Sequence, residues 1–151
     1  MRVFLAGDHA GYELRQYLAR RLYEWGHDVV DLGSANATDS VDYPDYAVAA
    51  AERVGRGEGV GVLVCGTGMG VSMAANKVPG VRAARCTDTF SARMARAHND
   101  ANVLCLGGWI TGLGLAEDMV RAFLGTSFEG GRHQRRVDKL NALDRSPKGA
   151  T

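Results

Sequence analysis

Cysteine and proline are scarce in this chain of 151 residues, three of each. Cys65, Cys86 and Cys105 lie far apart, odd in number and without a CxxC pair. That argues against a disulfide framework or a thiolate zinc site, and for reduced thiols in a cytoplasmic protein. No apolar run approaches the roughly 18 residues of a membrane span. The opening "MRVFLAGDHAGYE" meets Asp8 and Glu13 too early for a secretory leader. Neither sign of charge prevails: 18 Lys and Arg against 17 Asp and Glu leave a formal charge of +1. No nucleic-acid or other polyanion surface is therefore expected. The histidines show no HxH or HExxH spacing, which argues against a catalytic metal.

What is present is a regular alternation. Apolar runs at 2–7, 27–33, 59–65, 80–86 and 101–108 read as five strands. Helical spacing marks 11–25, 43–57 once past Pro44, 70–77, 88–99, 112–125 and 132–144; in the first, Leu14, Leu18, Leu22 and Trp25 recur with charges between them. Strands alternating with helices predict βαβ units and a doubly wound three-layer α/β fold on a parallel sheet. One domain over 1–144 is expected, with a frayed tail over 145–151. In such folds ligands sit beyond the carboxyl ends of the strands. Asp8 and His9 follow the first strand, Cys65 and Thr67 the third, Thr87 and Asp88 the fourth. His98 and Asn99 end the helix before the fifth. The topology is expected to gather most of these at one edge of the sheet.

The glycine loop "CGTGMG" (65–70) leaves little side chain between the backbone and an approaching ligand. Amides at a helix N-terminus suit an oxyanion or phosphate, although a tight strand–helix turn explains the same glycines. A dinucleotide fingerprint would need glycine where Val71 stands, and a cysteine-phosphatase loop would need arginine there. A Walker loop fails too, for no Gly-Lys-Ser/Thr follows. Cys65 lies where the third strand meets this loop. A helix N-terminus lowers a thiol's pKa from roughly 8.5, so a thiolate there can attack a carbonyl or remove a carbon-bound proton. An inert buried cysteine is the alternative, and it is the reading given to Cys86 and Cys105. Asp8 either caps the first helix or serves a site. His98 and Asn99 in "AHNDAN" are a candidate proton shuttle and orienting amide, whereas His27 reads as a surface residue. Arg132 and Arg136, spaced i, i+4, share a face of the last helix. They suit bidentate phosphate recognition, or form a solvated basic face.

Taken jointly, "GDHAG", "DYPDYA", "VCGTGMGVSMAANKVPGVRAA", "AHNDANVLCLGG" and "GGRHQRRV" resemble the type B ribose-5-phosphate isomerases. That group belongs with the galactose-6-phosphate isomerase subunits among the sugar-phosphate isomerases, and the likeness runs from residue 2 to about 144. It implies a Rossmann-like three-layer α/β/α subunit with a five-stranded parallel sheet and no cofactor or metal. It also implies a homodimer or tetramer whose active sites are shared between subunits. The default reaction is ribose 5-phosphate to ribulose 5-phosphate through an enediolate.

On this resemblance Cys65 matches the base of one branch; another branch uses a glutamate a few residues on, where this chain has "GVS". Thr67 matches the hydroxyl beside the reacting oxygens, and the amides of Gly66, Gly68 and Gly70 would stabilise the enediolate. Asp8 matches a residue that binds sugar hydroxyls or assists proton movement. His98 resembles the residue that opens the furanose ring, with Asn99 beside it on the substrate. His9, Arg132 and Arg136 match phosphate-binding positions, and Tyr43 a pocket residue. One position departs: after "LGG" the family generally has an arginine, and this chain has Trp109. Arg85, where the family usually carries a small or apolar residue, is a candidate replacement charge. The departure keeps open a tetrose, hexose or modified sugar phosphate as substrate, or a less active structural subunit.

Overall fold

The computed structural model describes residues 1–145. Five parallel strands form one sheet: β1 (Arg2–Gly7), β2 (Asp28–Asp31), β3 (Val60–Cys65), β4 (Ala83–Arg85) and β5 (Val103–Gly107). Their spatial order is β2-β1-β3-β5-β4. The helices are α1 (Tyr12–Glu24), α2 (Tyr43–Gly55), α3 (Met69–Ala75), α4 (Thr89–Asn99), α5 (Leu113–Gly125) and α6 (Arg132–Ala142). Among the described residues no helix is long and apolar enough to cross a membrane.

The period of two along each strand sorts the core into two halves. Val3 and Leu5 of β1, Val62 and Val64 of β3, and Leu104 and Leu106 of β5 face α1, α4 and α5. Phe4 and Ala6, Leu63 and Cys65, Val103 and Cys105 face α2 and α3. Covered on both faces, these strands need apolar residues throughout, which is why they read as unbroken apolar runs rather than alternating ones. Side chains such as Phe4, Leu18, Leu104 and Phe123 are fully buried. Each contributes about 2 kcal/mol of transfer free energy.

Two boundaries differ from the sequence expectation for physical reasons. Helix α2 starts at Tyr43 rather than after Pro44, because proline fits the first turn, where its missing N–H has no partner to lose. Strand β4 is three residues long, not the expected 80–86. Two asparagine side chains take over its backbone partners. Asn102 accepts from the Arg82 amide (2.8 Å) and donates to the Gly80 carbonyl (2.8 Å). Asn76 accepts from the Ala83 amide (2.8 Å) and donates to the Ala83 carbonyl (2.9 Å). The expected tail lies outside the described residues except for the backbone of Arg145.

Glu117 ties α5 to α1. Its carboxylate accepts from the Tyr17 hydroxyl (2.7 Å) and from Nη2 and Nε of Arg21 (3.0 and 3.2 Å). Those hydrogen bonds, Arg21 first, hold its pKa below the ordinary glutamate value of 4.5. A lowered folded-state pKa stabilises the fold above the unfolded value and loses that contribution as pH falls through the folded one. Glu117→Gln should therefore lower the urea midpoint at pH 7 and lose less stability than wild type between pH 5 and about 3. Parallel pH profiles for the two proteins would contradict this role.

Candidate active site

Strands β1 and β3 are neighbours, but the chain leaves them toward opposite sides of the sheet, β1 to β2 and β3 to the β5–β4 half. Such a switch point opens a crevice beyond the carboxyl ends of the two strands. Asp8 follows β1 into it, 7% exposed. Its Oδ1 accepts from the Gly11 amide (3.2 Å), so one carboxylate oxygen has the capping role. Cys65 ends β3, 5% exposed, and its Sγ accepts from the Gly68 amide at 3.2 Å. That amide is aimed at the sulfur because Gly68 takes the left-handed conformation, φ +79°. A side chain there would also press on the Leu106 carbonyl carbon at 2.9 Å. Glycine is required at this position on both counts.

The remaining loop residues are held from either side. Arg85 Nε donates to the Thr67 carbonyl (3.0 Å), so the guanidinium braces the loop from β4. The Thr67 hydroxyl accepts from the Met69 amide at 3.4 Å. The Tyr43 ring, at the start of α2, covers Gly70, and the Trp109 ring lies over Gly66. Trp109 is 73% exposed. Its amide donates to the Gly66 carbonyl (3.0 Å), and that of Gly108 to the Cys65 carbonyl (2.7 Å), so the turn after β5 is stitched to the loop after β3. His9 Nδ1 accepts from the Val41 amide (3.2 Å), which leaves the proton of a neutral ring on Nε2.

The expectation of a single edge holds for Asp8, His9, Cys65 and Thr67 and fails for His98 and Asn99. Helix α4 runs antiparallel to the strands, from the carboxyl end of β4 to the amino end of β5. Its last residues therefore reach the opposite edge. Val103 pairs with Gly61 and Gly107 with Cys65, so the two edges are separated by four residue steps, about 13 Å. Arg132 and Arg136 join His98 and Asn99 at the far edge, since α6 begins beside the end of α4. The Glu129 amide donates to the Ala97 carbonyl (3.0 Å). The rings of His98 and His133 stack with centroids 4.1 Å apart and planes 13° from parallel. Burial, then the charges of His98 and Arg132, push the His133 pKa below the ordinary histidine value, against an opposing pull from Glu129. A cavity of about 930 Å³ opens here between β4 and α6, and Asn99 lines it.

Sequence reasoning missed the His98–His133 stack and Glu129 beside it. Glu129 and His133 are spaced i, i+4 across the start of α6, but no spacing in the sequence brings His98 to them. The other thiols fit their structural assignment. Burial pushes Cys86 up to about 11 and Cys105 well above the ordinary thiol value, which keeps both protonated and unreactive.

Comparison with known proteins bears on the family and the fold. The ribose/galactose isomerase family matches residues 3–140. The ribose-5-phosphate isomerase B of Escherichia coli is 45% identical over 138 residues, covering 91% of this chain and 92% of that protein. The structure of ribose-5-phosphate isomerase B from Clostridium thermocellum superposes with a TM-score of 0.93 at 47% identity, covering 96% of this chain and 98% of that one. The enzyme from Mycoplasma genitalium, solved with bound ribulose-5-phosphate, gives a TM-score of 0.92 at 41% identity over 96% and 97% of the two chains. Matched by the family over residues 3–140, identical to relatives at 45–47% over nearly their full length and sharing their fold, the chain belongs to the ribose/galactose isomerase family of aldose–ketose isomerases.

Proposed function

We propose that the protein interconverts ribose 5-phosphate and ribulose 5-phosphate through an enediolate, with Cys65 as the base, in active sites assembled from two subunits. The observation that carries this reading is the Cys65 thiol at the switch point, its sulfur accepting from the Gly68 amide, with Asp8 following the neighbouring strand end. An N–H···S bond strengthens as charge develops on the sulfur.

The thiolate takes the proton from C2 of the open-chain aldose and returns it to C1. Between these steps the negative charge rests on the enediolate oxygens, faced by loop amides and the Thr67 hydroxyl. A proton moves from the C2 oxygen to the C1 oxygen, so the exchange conserves every atom and needs no external oxidant. Asp8, with one oxygen committed to Gly11, accepts from sugar hydroxyls with the other.

Ring opening needs a second acid–base group, and within one subunit His98 lies about 13 Å away along the sheet. A two-fold dimer that sets the far edge of one subunit against the crevice of the other removes that gap. It brings His98, Asn99, Arg132 and Arg136 of the partner subunit to the substrate. His9, with its Nε2 proton directed away from Val41, then meets the phosphate from the crevice side.

Trp109 supports a second reading of the substrate. It puts an exposed indole directly over the loop, where the family generally has an arginine, and an aromatic face packs on sugar C–H groups instead of gripping phosphate. The alternative substrate is a tetrose, hexose or modified sugar phosphate. Arg85, beside Thr67, is the nearest cation on β4 to compensate.

The test is a panel of free and phosphorylated aldoses of four to six carbons, assayed with wild type, Cys65→Ala and Trp109→Arg. Wild type should act on the five-carbon phosphate, and Cys65→Ala should lose about 1,000-fold in kcat. Full activity in Cys65→Ala would remove the base assignment, and no turnover of any sugar by wild type would remove the isomerase reading. Trp109→Arg should raise kcat/KM for ribose 5-phosphate about tenfold, as a charge-assisted phosphate contact is gained. An unchanged value would show that position 109 does not set phosphate affinity.

A further inference from the structure

At the far edge of the sheet, three side chains from three separate segments converge on one point. His98 ends α4, Glu129 lies in the connection between α5 and α6, and His133 sits in the first turn of α6. Glu129 Oε2 is 3.7 Å from His98 Nε2 and 3.6 Å from His133 Nε2, and the three ligand atoms lie within 4.8 Å of one another. These gaps are too long for hydrogen bonds. Two ligands at 2.0–2.2 Å from a tetrahedral zinc ion are about 3.4 Å apart, which is close to what is seen here.

We propose that His98, Glu129 and His133 form a site for a borderline transition-metal dication such as Zn²⁺, and that its occupancy switches the enzyme off by capturing the His98 imidazole. Each imidazole donates its Nε2 lone pair while keeping the Nδ1 proton, and the carboxylate donates one oxygen. The fourth tetrahedral position goes to water or an anion, and no oxidation state changes. The stack as it stands does not chelate, because a metal lies in the plane of each imidazole that binds it. His98, 35% exposed, turns about its Cβ–Cγ bond so that its lone pair meets that of the buried His133, and Glu129, 58% exposed, follows to complete the site.

The surroundings decide which metal fits. Arg132 and Arg136 lie close enough to act on His133 electrostatically, and their charge opposes any cation held by charge alone. Mg²⁺ and Ca²⁺ prefer carboxylates, carbonyls and water, of which this site offers one carboxylate. Imidazole nitrogens bind zinc, nickel and copper through dative bonds that survive such repulsion better. The spacing argument from sequence could not see this cluster, because its ligands come together only through the packing of α6 on α4.

The inhibitory consequence rests on the ring-opening role given to His98; the metal binding does not. Calorimetric titration of EDTA-stripped protein with Zn²⁺, in phosphate-free buffer, reads occupancy without substrate. Wild type should bind one zinc per chain with a Kd of about 10 µM or tighter. Glu129→Gln should weaken binding about 100-fold, and His133→Gln at least as much, with folding of the latter checked by circular dichroism. Glu129 is exposed, so its variant stays folded and keeps the test decisive. In the isomerase assay, wild type should be inhibited by micromolar zinc and restored by EDTA. Glu129→Gln should keep metal-free activity within about twofold and need about 100-fold more zinc for inhibition. Absence of saturable binding, or equal affinity in Glu129→Gln, overturns the site. Loss of zinc binding in Cys65→Ala with retention in Glu129→Gln places the metal on the thiol and also overturns it. Failure of the isomerase assay alone would leave the calorimetric result readable.

Discussion

The close approach of β1 to β3 is the contact on which the rest of the site depends. Gly11, in the turn after β1, lies so near β3 that a Cβ there would come within 2.1 Å of the Val64 carbonyl oxygen, and Gly7 is as tight at 2.0 Å. With these glycines the backbone after β1 lies directly against the end of β3. Asp8 and Cys65 are thereby held on adjacent strand ends. The same stretch is pinned from the other side, where the Gly7 amide donates to the Gly33 carbonyl (2.8 Å) and the Ser34 amide to the Gly7 carbonyl (3.0 Å). Arg15, buried in α1, donates through Nη2 to the Ser34 carbonyl (2.5 Å) and pairs with Asp31 (3.0 Å). Breaking a buried ion pair on one side only is costly, so this clamp makes the position of Asp8 a property of the whole β1–α1–β2 unit.

A parallel sheet has two unlike edges, and the direction of each connecting element decides which edge a residue serves. Strand ends and the loops that leave them carry Asp8, Cys65, Thr67 and Trp109. Helices that return to strands carry His98 and Asn99 to the other edge, where α6 adds Arg132 and Arg136. On the proposed roles, each subunit offers a base with its oxyanion donors at one edge and an acid–base imidazole with cations at the other, and neither edge by itself holds the full set for opening a ring, moving a proton and gripping a phosphate. The far edge carries a second property in the His98, Glu129 and His133 cluster, which couples the proposed ring-opening imidazole to metal availability.

Much of the fold was legible because burial on both faces writes itself as unbroken apolar runs, and the helices as 3.6-residue spacing. The short β4 was not legible, since Asn76 and Asn102 replace the ladder with side-chain hydrogen bonds that no periodicity reports. The residues at the switch point were legible as strand-end positions, and their roles rest on the family resemblance. The placement of His98 was misjudged because position beside a strand was read without its direction along that strand. Glu129 was invisible for a different reason: an exposed glutamate in a connection acquires meaning only when two helices bring imidazoles to it.

The central claim is that each active site takes Cys65 from one subunit and His98 from the other. Co-expressing Cys65→Ala and His98→Asn chains, each inactive alone, and purifying the hybrid through two different tags tests it directly. In a shared-site dimer the hybrid has one site with both defects and one with none. A random mixture should then regain about a quarter of wild-type activity, and the purified hybrid about half. A purified hybrid no more active than its parents would contradict the account.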